Sequence, residues 1–108
     1  MKHDDFIDVV HKTLSHCTDL LISKGIEYNP VEDRLAAFKQ AGALERTTPQ
    51  RALFGMLAKH IISVQNMCDT EITDYSEEQW QEKIGDSINY LLLLSGLVKE
   101  KYQEEKHE

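Results

Sequence analysis

Apolar residues recur along this chain at spacings of three and four, the mark of helices rather than strands. Phe6, Val9, Val10, Leu14, Cys17, Leu20 and Leu21 form one stripe. Leu53, Phe54, Leu57, Ile61, Val64 and Cys68 form a second, and Trp80, Ile84, Ile88, Leu91, Ser95, Val98 and Tyr102 a third. Leu35 and Phe38 mark a shorter helix packed across them. No segment alternates with period two for long enough to make a strand.

Local punctuation sets the boundaries. Asn29-Pro30 and Thr48-Pro49 each place a side-chain acceptor at the N-cap and proline at the first helical position. Ser76 and Gln79 spell a capping box, Asp4 or Asp5 can cap the first helix, and Gly25 and Gly42 are natural C-terminal stops. These signals predict helices over 5–24, 30–41, 49–68 and 77–102. The expected fold is all-α: one four-helix bundle-like domain over 1–102 with the three stripes as its core, then a frayed polar tail over 103–108.

The last helix carries a second face. Glu82, Asp86, Asn89 and Leu93 fall within about 60° of each other, opposite the apolar stripe. Further along come Leu93, Gly96 and Leu97, which a solvated helix would not place there. Helix one or another subunit is expected to cover them, and at least a dimer formed through helix four is predicted. Gly85 and Gly96 each cost about 1 kcal/mol relative to alanine, which calls for close helix approach or ligand access.

Charge narrows the function. The 108 residues hold 12 Lys plus Arg against 19 Asp plus Glu, a formal net charge of −7. That balance argues against nonspecific nucleic-acid binding and against adsorption to anionic membranes. No apolar run approaches the roughly 18 residues of a membrane span, and the N-terminus lacks a signal core. Cys17 and Cys68 show no CxxC spacing and are expected to be two buried free thiols. A soluble, cytoplasmic protein is expected.

Several side chains could carry chemistry. Glu82 and Asp86, four apart, can share a hard cation such as Mg²⁺; the same pair also reads as a solvated acidic face beside Lys83. Lys24 and Arg34 could meet a phosphate. Tyr28, Phe38 and Tyr90 could stack on a base or simply pack. Lys59 and Asn66 lie away from the stripe of helix three, where surface placement explains them, and His60 sits at its edge as a ligand contact or a structural histidine. No Walker motif, GxGxxG, GxSxG or HExxH is present.

Taken in order, Lys24-x-x-Glu27-Tyr28, Glu32-Asp33-Arg34-x-x-x-Phe38, Lys59-His60 and Glu82-Lys83-x-x-Asp86-x-x-Asn89-Tyr90 resemble small all-α phage and prophage proteins of the nucleotide-modification-associated group. The resemblance spans roughly residues 20–100. It implies a viral or prophage origin, a host-cytoplasmic location and a role in handling nucleotides. A more distant similarity is to the MazG-like all-α nucleoside triphosphate pyrophosphohydrolases, in which Glu-x-x-Asp and EExxE helices hold Mg²⁺ against a triphosphate. Here the glutamate lies four residues before Asp86, with Lys83 at the third, and the EExxE helix is absent.

Three functions remain in view. The first is an oligomeric module that captures a nucleotide, such as a defence signal, through Arg34, Lys59 and His60 on phosphate, Asn89 and Asp86 on base or ribose, and Tyr28 or Tyr90 stacking. The second is Mg²⁺-dependent hydrolysis using Glu82 and Asp86 with Glu27 or Glu32. The third is an acidic protein–protein inhibitor that mimics nucleic acid.

Overall fold

The computed structural model describes residues 1–26 and 33–106. Helix α1 spans His3–Ile26, with Asp4 and Asp5 in its first turn and Lys24 in its last, each matched to the helix dipole. Helix α2 is short, Ala36–Leu44. Helix α3, Pro49–Cys68, opens as its sequence predicts: Thr48 Oγ1 accepts from the Arg51 N–H at 3.2 Å, with proline at the first helical position. After a 3₁₀ turn at Ile72–Asp74, helix α4 runs Glu77–Lys106. Its capping box forms in full, with the Gln79 N–H on Ser76 Oγ at 3.0 Å and the Ser76 N–H on Gln79 Oε1 at 2.8 Å. Residues 103–106, expected as tail, extend this helix. The architecture is an all-α bundle with no strand among the described residues.

Helix α2 departs from its predicted span at both ends. The Asn29-Pro30 signal lies outside the described residues. Asp33 Oδ1 accepts from the Leu35 N–H at 2.9 Å, a turn that postpones the helix to Ala36. At the far end Gly42 is not the stop. The helix continues to Leu44, and Arg46 takes the left-handed conformation with φ 56°. The Thr47 N–H then bonds Gly42 O at 2.8 Å and the Arg46 N–H bonds Ala43 O at 3.2 Å, a Schellman motif built without glycine. Gly42 serves packing instead. A Cβ there would lie 2.8 Å from the Thr48 carbonyl carbon, so its absence lets α2 close on the start of α3.

The core gathers Phe38, Leu53 and Leu97, with Leu35, Met56, Tyr90, Leu93 and Leu94 packed against them. Helix α3 runs antiparallel to α4: Leu53 meets Leu97, whereas His60, farther along α3, meets Asp86 and Tyr90. Helix α1 runs parallel to α4. Thr13 donates to Gln81 Oε1 at 3.3 Å, Cys17 lies against Gly85, and Leu21 shares a cavity with Asn89.

Helix α4 buries the face opposite its apolar stripe. Gly85, Asn89 and Leu97 are buried, and Leu93 and Gly96 are half-buried. From the expected stripe, Leu91, Val98 and Tyr102 are 52%, 48% and 64% exposed. The reason lies in the small residues. A Cβ on Gly85 would lie 3.2 Å from Cys17 Sγ, and one on Gly96 would lie 3.5 Å from Leu35 Cδ1, so neighbours close upon this face. Leu93, Gly96 and Leu97 therefore pack against residues of the same chain. Phe6, Val9 and Leu14 of α1 and Phe54 and Ile61 of α3 are likewise exposed members of their predicted stripes. Both cysteines are free, but Cys68 is exposed; only Cys17 is buried. No helix among the described residues is long and apolar enough to cross a membrane.

Candidate functional site

The parallel seam of α1 and α4 opens, at its upper end, into a cavity of about 520 Å³. Its wall holds Lys24 from the last turn of α1, Arg34 from the turn before α2, and Asp86, Asn89 and Tyr90 from the middle of α4. Leu21, Phe38 and Leu93 complete the lining. Two cations from neighbouring segments thus converge with a carboxylate, a carboxamide and an aromatic ring from α4, more than 50 residues further along the chain.

The groups differ in how firmly they are held. Arg34 reaches across to α1, its Nη2 donating to Leu21 O at 3.4 Å. Asp86 lies 3.8 Å from His60 Nδ1, and the His60 ring tilts over Tyr90 with centroids 5.0 Å apart. Phe38 meets the other side of the arrangement edge-on, 6.4 Å from Tyr90. Beneath, Cys17 is raised above the ordinary thiol range, first by burial and then by the Asp86 charge, which keeps it a neutral thiol. Asn89 is buried, and its Oδ1 has no hydrogen-bond partner among the described residues. A buried carbonyl oxygen left unpaired costs about 1–3 kcal/mol, so it stands out in a folded interior.

The sequence-predicted residues sort into three sets. Lys24, Arg34, Asn89 and Tyr90 reach one cavity, and His60 stands behind it against Asp86 and Tyr90. Lys59 is exposed on α3 and does not line it. Tyr28, Glu27 and Glu32 lie outside the described residues. The proposed metal pair divides: Asp86 lines this cavity, whereas Glu82 lines another, of about 880 Å³, with Asp5, Asp8, His16, Glu77 and Glu78. Among the described residues no three His, Cys, Asp or Glu side chains are placed to hold one metal ion. Sequence reasoning did not find Leu21 or the Cys17–Gly85 contact, although the cost of a mid-helix glycine pointed to some close approach there.

Comparison of the chain with protein-family models, curated proteins and solved structures finds no match.

Proposed function

We propose that this protein captures a nucleotide in the cavity between α1 and α4. The observation that carries this reading is Asn89, whose buried Oδ1, without a partner among the described residues, belongs to a cavity wall that also holds Lys24 and Arg34. An unpaired acceptor calls for an N–H or O–H donor, which a base amino group or a ribose hydroxyl supplies. The two cations suit phosphate oxygens, and Tyr90 offers an aromatic edge or face to a base. A volume of about 520 Å³ lies within the range of small-molecule sites.

Capture is better supported than Mg²⁺-assisted hydrolysis, because Asp86 is the only carboxylate among the described residues of this wall. A metal centre for phosphoryl chemistry draws on several such groups. The resemblance to phage proteins extends the proposal to sequestration of a nucleotide signal inside a host.

Incubation with pooled nucleotides, with and without Mg²⁺, tests this by thermal shift and chromatography together. A raised melting temperature with every nucleotide recovered intact is expected, and Asn89→Leu should lose the shift while staying folded. Products that require Mg²⁺ would replace capture by hydrolysis; no shift with any nucleotide would remove the proposal.

A further inference from the structure

The cavity between α1 and α4 is graded along the helix axis. Thr13 meets Gln81 at a separation of 68 residues, and Cys17 meets Gly85 at the same separation. The two parallel helices thus keep one register, which sets Leu21 level with Asn89 and Lys24 level with Leu92. Asp86 lies below Lys24 by about 9 Å of helix, at about 1.5 Å per residue. From one end to the other the wall therefore presents a carboxylate, a carboxamide and an ammonium group. Leu21, Phe38 and Leu93 supply apolar surface beside them for the faces of a planar ring.

Both side chains toward the carboxylate end offer acceptors. Asp86 lies 3.8 Å from His60 Nδ1, too far for a hydrogen bond, and accepts none among the described residues. Asn89 is 9% exposed, and its Oδ1 has no partner among the described residues. A carboxylate accepts two parallel N–H groups at once. A base seated on this end must therefore show several donors side by side on one edge. Among the common bases guanine does so, through N1–H and the N2 amino group. Adenine and cytosine place a ring-nitrogen acceptor beside their amino group, and uracil and thymine set N3–H between two carbonyls. Those acceptors would face the carboxylate and repel it.

We propose that the cavity selects a guanine mononucleotide. The Asp86 carboxylate accepts from N1–H and from one hydrogen of the N2 amino group, Asn89 Oδ1 accepts the other, and Lys24 meets the phosphate. This selectivity rests on the capture proposed above and specifies its ligand. The order of groups along the wall matches the order within the ligand: N1–H is farthest from the phosphate, the amino group follows on the sugar side, and the phosphate is at the far end. A site built around such bonds rejects analogues that lack the donors, because its own acceptors are then left unpaired.

Calorimetric titration of the full chain with nucleoside 5′-monophosphates tests this selection. GMP should bind, and IMP, which lacks only the N2 amino group, should bind about 10–100-fold more weakly. AMP, CMP and UMP should bind more weakly still. Asp86→Asn supplies a gain that a misfolded chain could not mimic. Its amide accepts from N1–H and donates to the O2 carbonyl of xanthine, so XMP should overtake GMP in that variant. Equal wild-type affinity for GMP and AMP would overturn guanine selection and leave capture standing. An Asp86→Asn chain that still prefers GMP to XMP would do the same. Binding of none of these monophosphates would also overturn it, and capture would then stand only if another nucleotide of the pooled set raised the melting temperature.

Discussion

The two halves of α4's inward face meet the rest of the chain in different ways. From Tyr90 to Leu97 the helix closes on Phe38, Leu53 and Leu35 through hydrocarbon. From Gln81 to Asn89 it meets its neighbours through a glycine, a thiol and polar groups: Gln81 with Thr13, Gly85 with Cys17, Asp86 with His60. The dry half repays burial in the ordinary way, by removing apolar surface from water. The polar half keeps a carboxamide oxygen with no partner among the described residues, at the cost of an unsatisfied buried acceptor, and a half-buried carboxylate beside His60. Apolar burial and polar contact are thus divided along one helix.

The largest expected effect tests the dry half. Leu53 is fully buried, and Leu53→Ala should lower the free energy of unfolding by about 2–5 kcal/mol in urea titration. Next comes the close approach that joins α2 to α3. Gly42→Ala adds a methyl against backbone atoms that cannot swing aside, and should cost about 1–3 kcal/mol despite alanine's better helix propensity. Asn89→Leu should act in the opposite sense, raising stability by about 1 kcal/mol while losing the nucleotide-induced shift. A loss as large as that of Leu53→Ala would erase the distinction between the halves. Arg46→Gly relieves a positive φ at an exposed site and should gain about 0.5–1 kcal/mol by the same titration.

The smallest effect belongs to the exposed link between α2 and α4. Lys39 pairs with both Asp33 and Glu100. Asp33 is held below the usual carboxylate range, first by Lys39 and then by the Leu35 N–H. Its folded value is thus below its unfolded value, so the contribution is present above the unfolded value and is lost as pH falls through the folded one. Urea midpoints of the wild type and Asp33→Asn should differ slightly at neutral pH and converge below about pH 4.

What could be read from sequence was local. Thr48-Pro49 and Ser76 with Gln79 fixed the starts of α3 and α4 because each cap needs only residues within one turn. Helix α2 was misjudged because Gly42 looks like a stop, whereas its missing side chain serves contact with Thr48. Orientation was less legible than extent. The apolar stripe of α4 was assigned to the chain's own core, but Gly85 and Gly96 allow closer packing on the other face. Asp86, Asn89 and Tyr90 were legible as a polar patch on one helix, and Lys24 and Arg34 as cations at helix ends. Their meeting in one cavity depends on the parallel docking of α1, which no local signal encodes.

That parallel docking also bears on the order of assembly. Helices α2 and α3 are joined by four residues, 45–48, so their pairing closes a short loop early and cheaply. Helix α1 meets α4 across 68 residues of chain, as in the Thr13–Gln81 bond, and among its described residues only Cys17 is buried. Such a helix is the natural last arrival in folding and the first to open in local fluctuations. Since α1 carries Lys24 and Leu21, the nucleotide proposed for the cavity would act as a clasp on the whole helix. Amide exchange along α1 should slow on binding before it changes anywhere in α3.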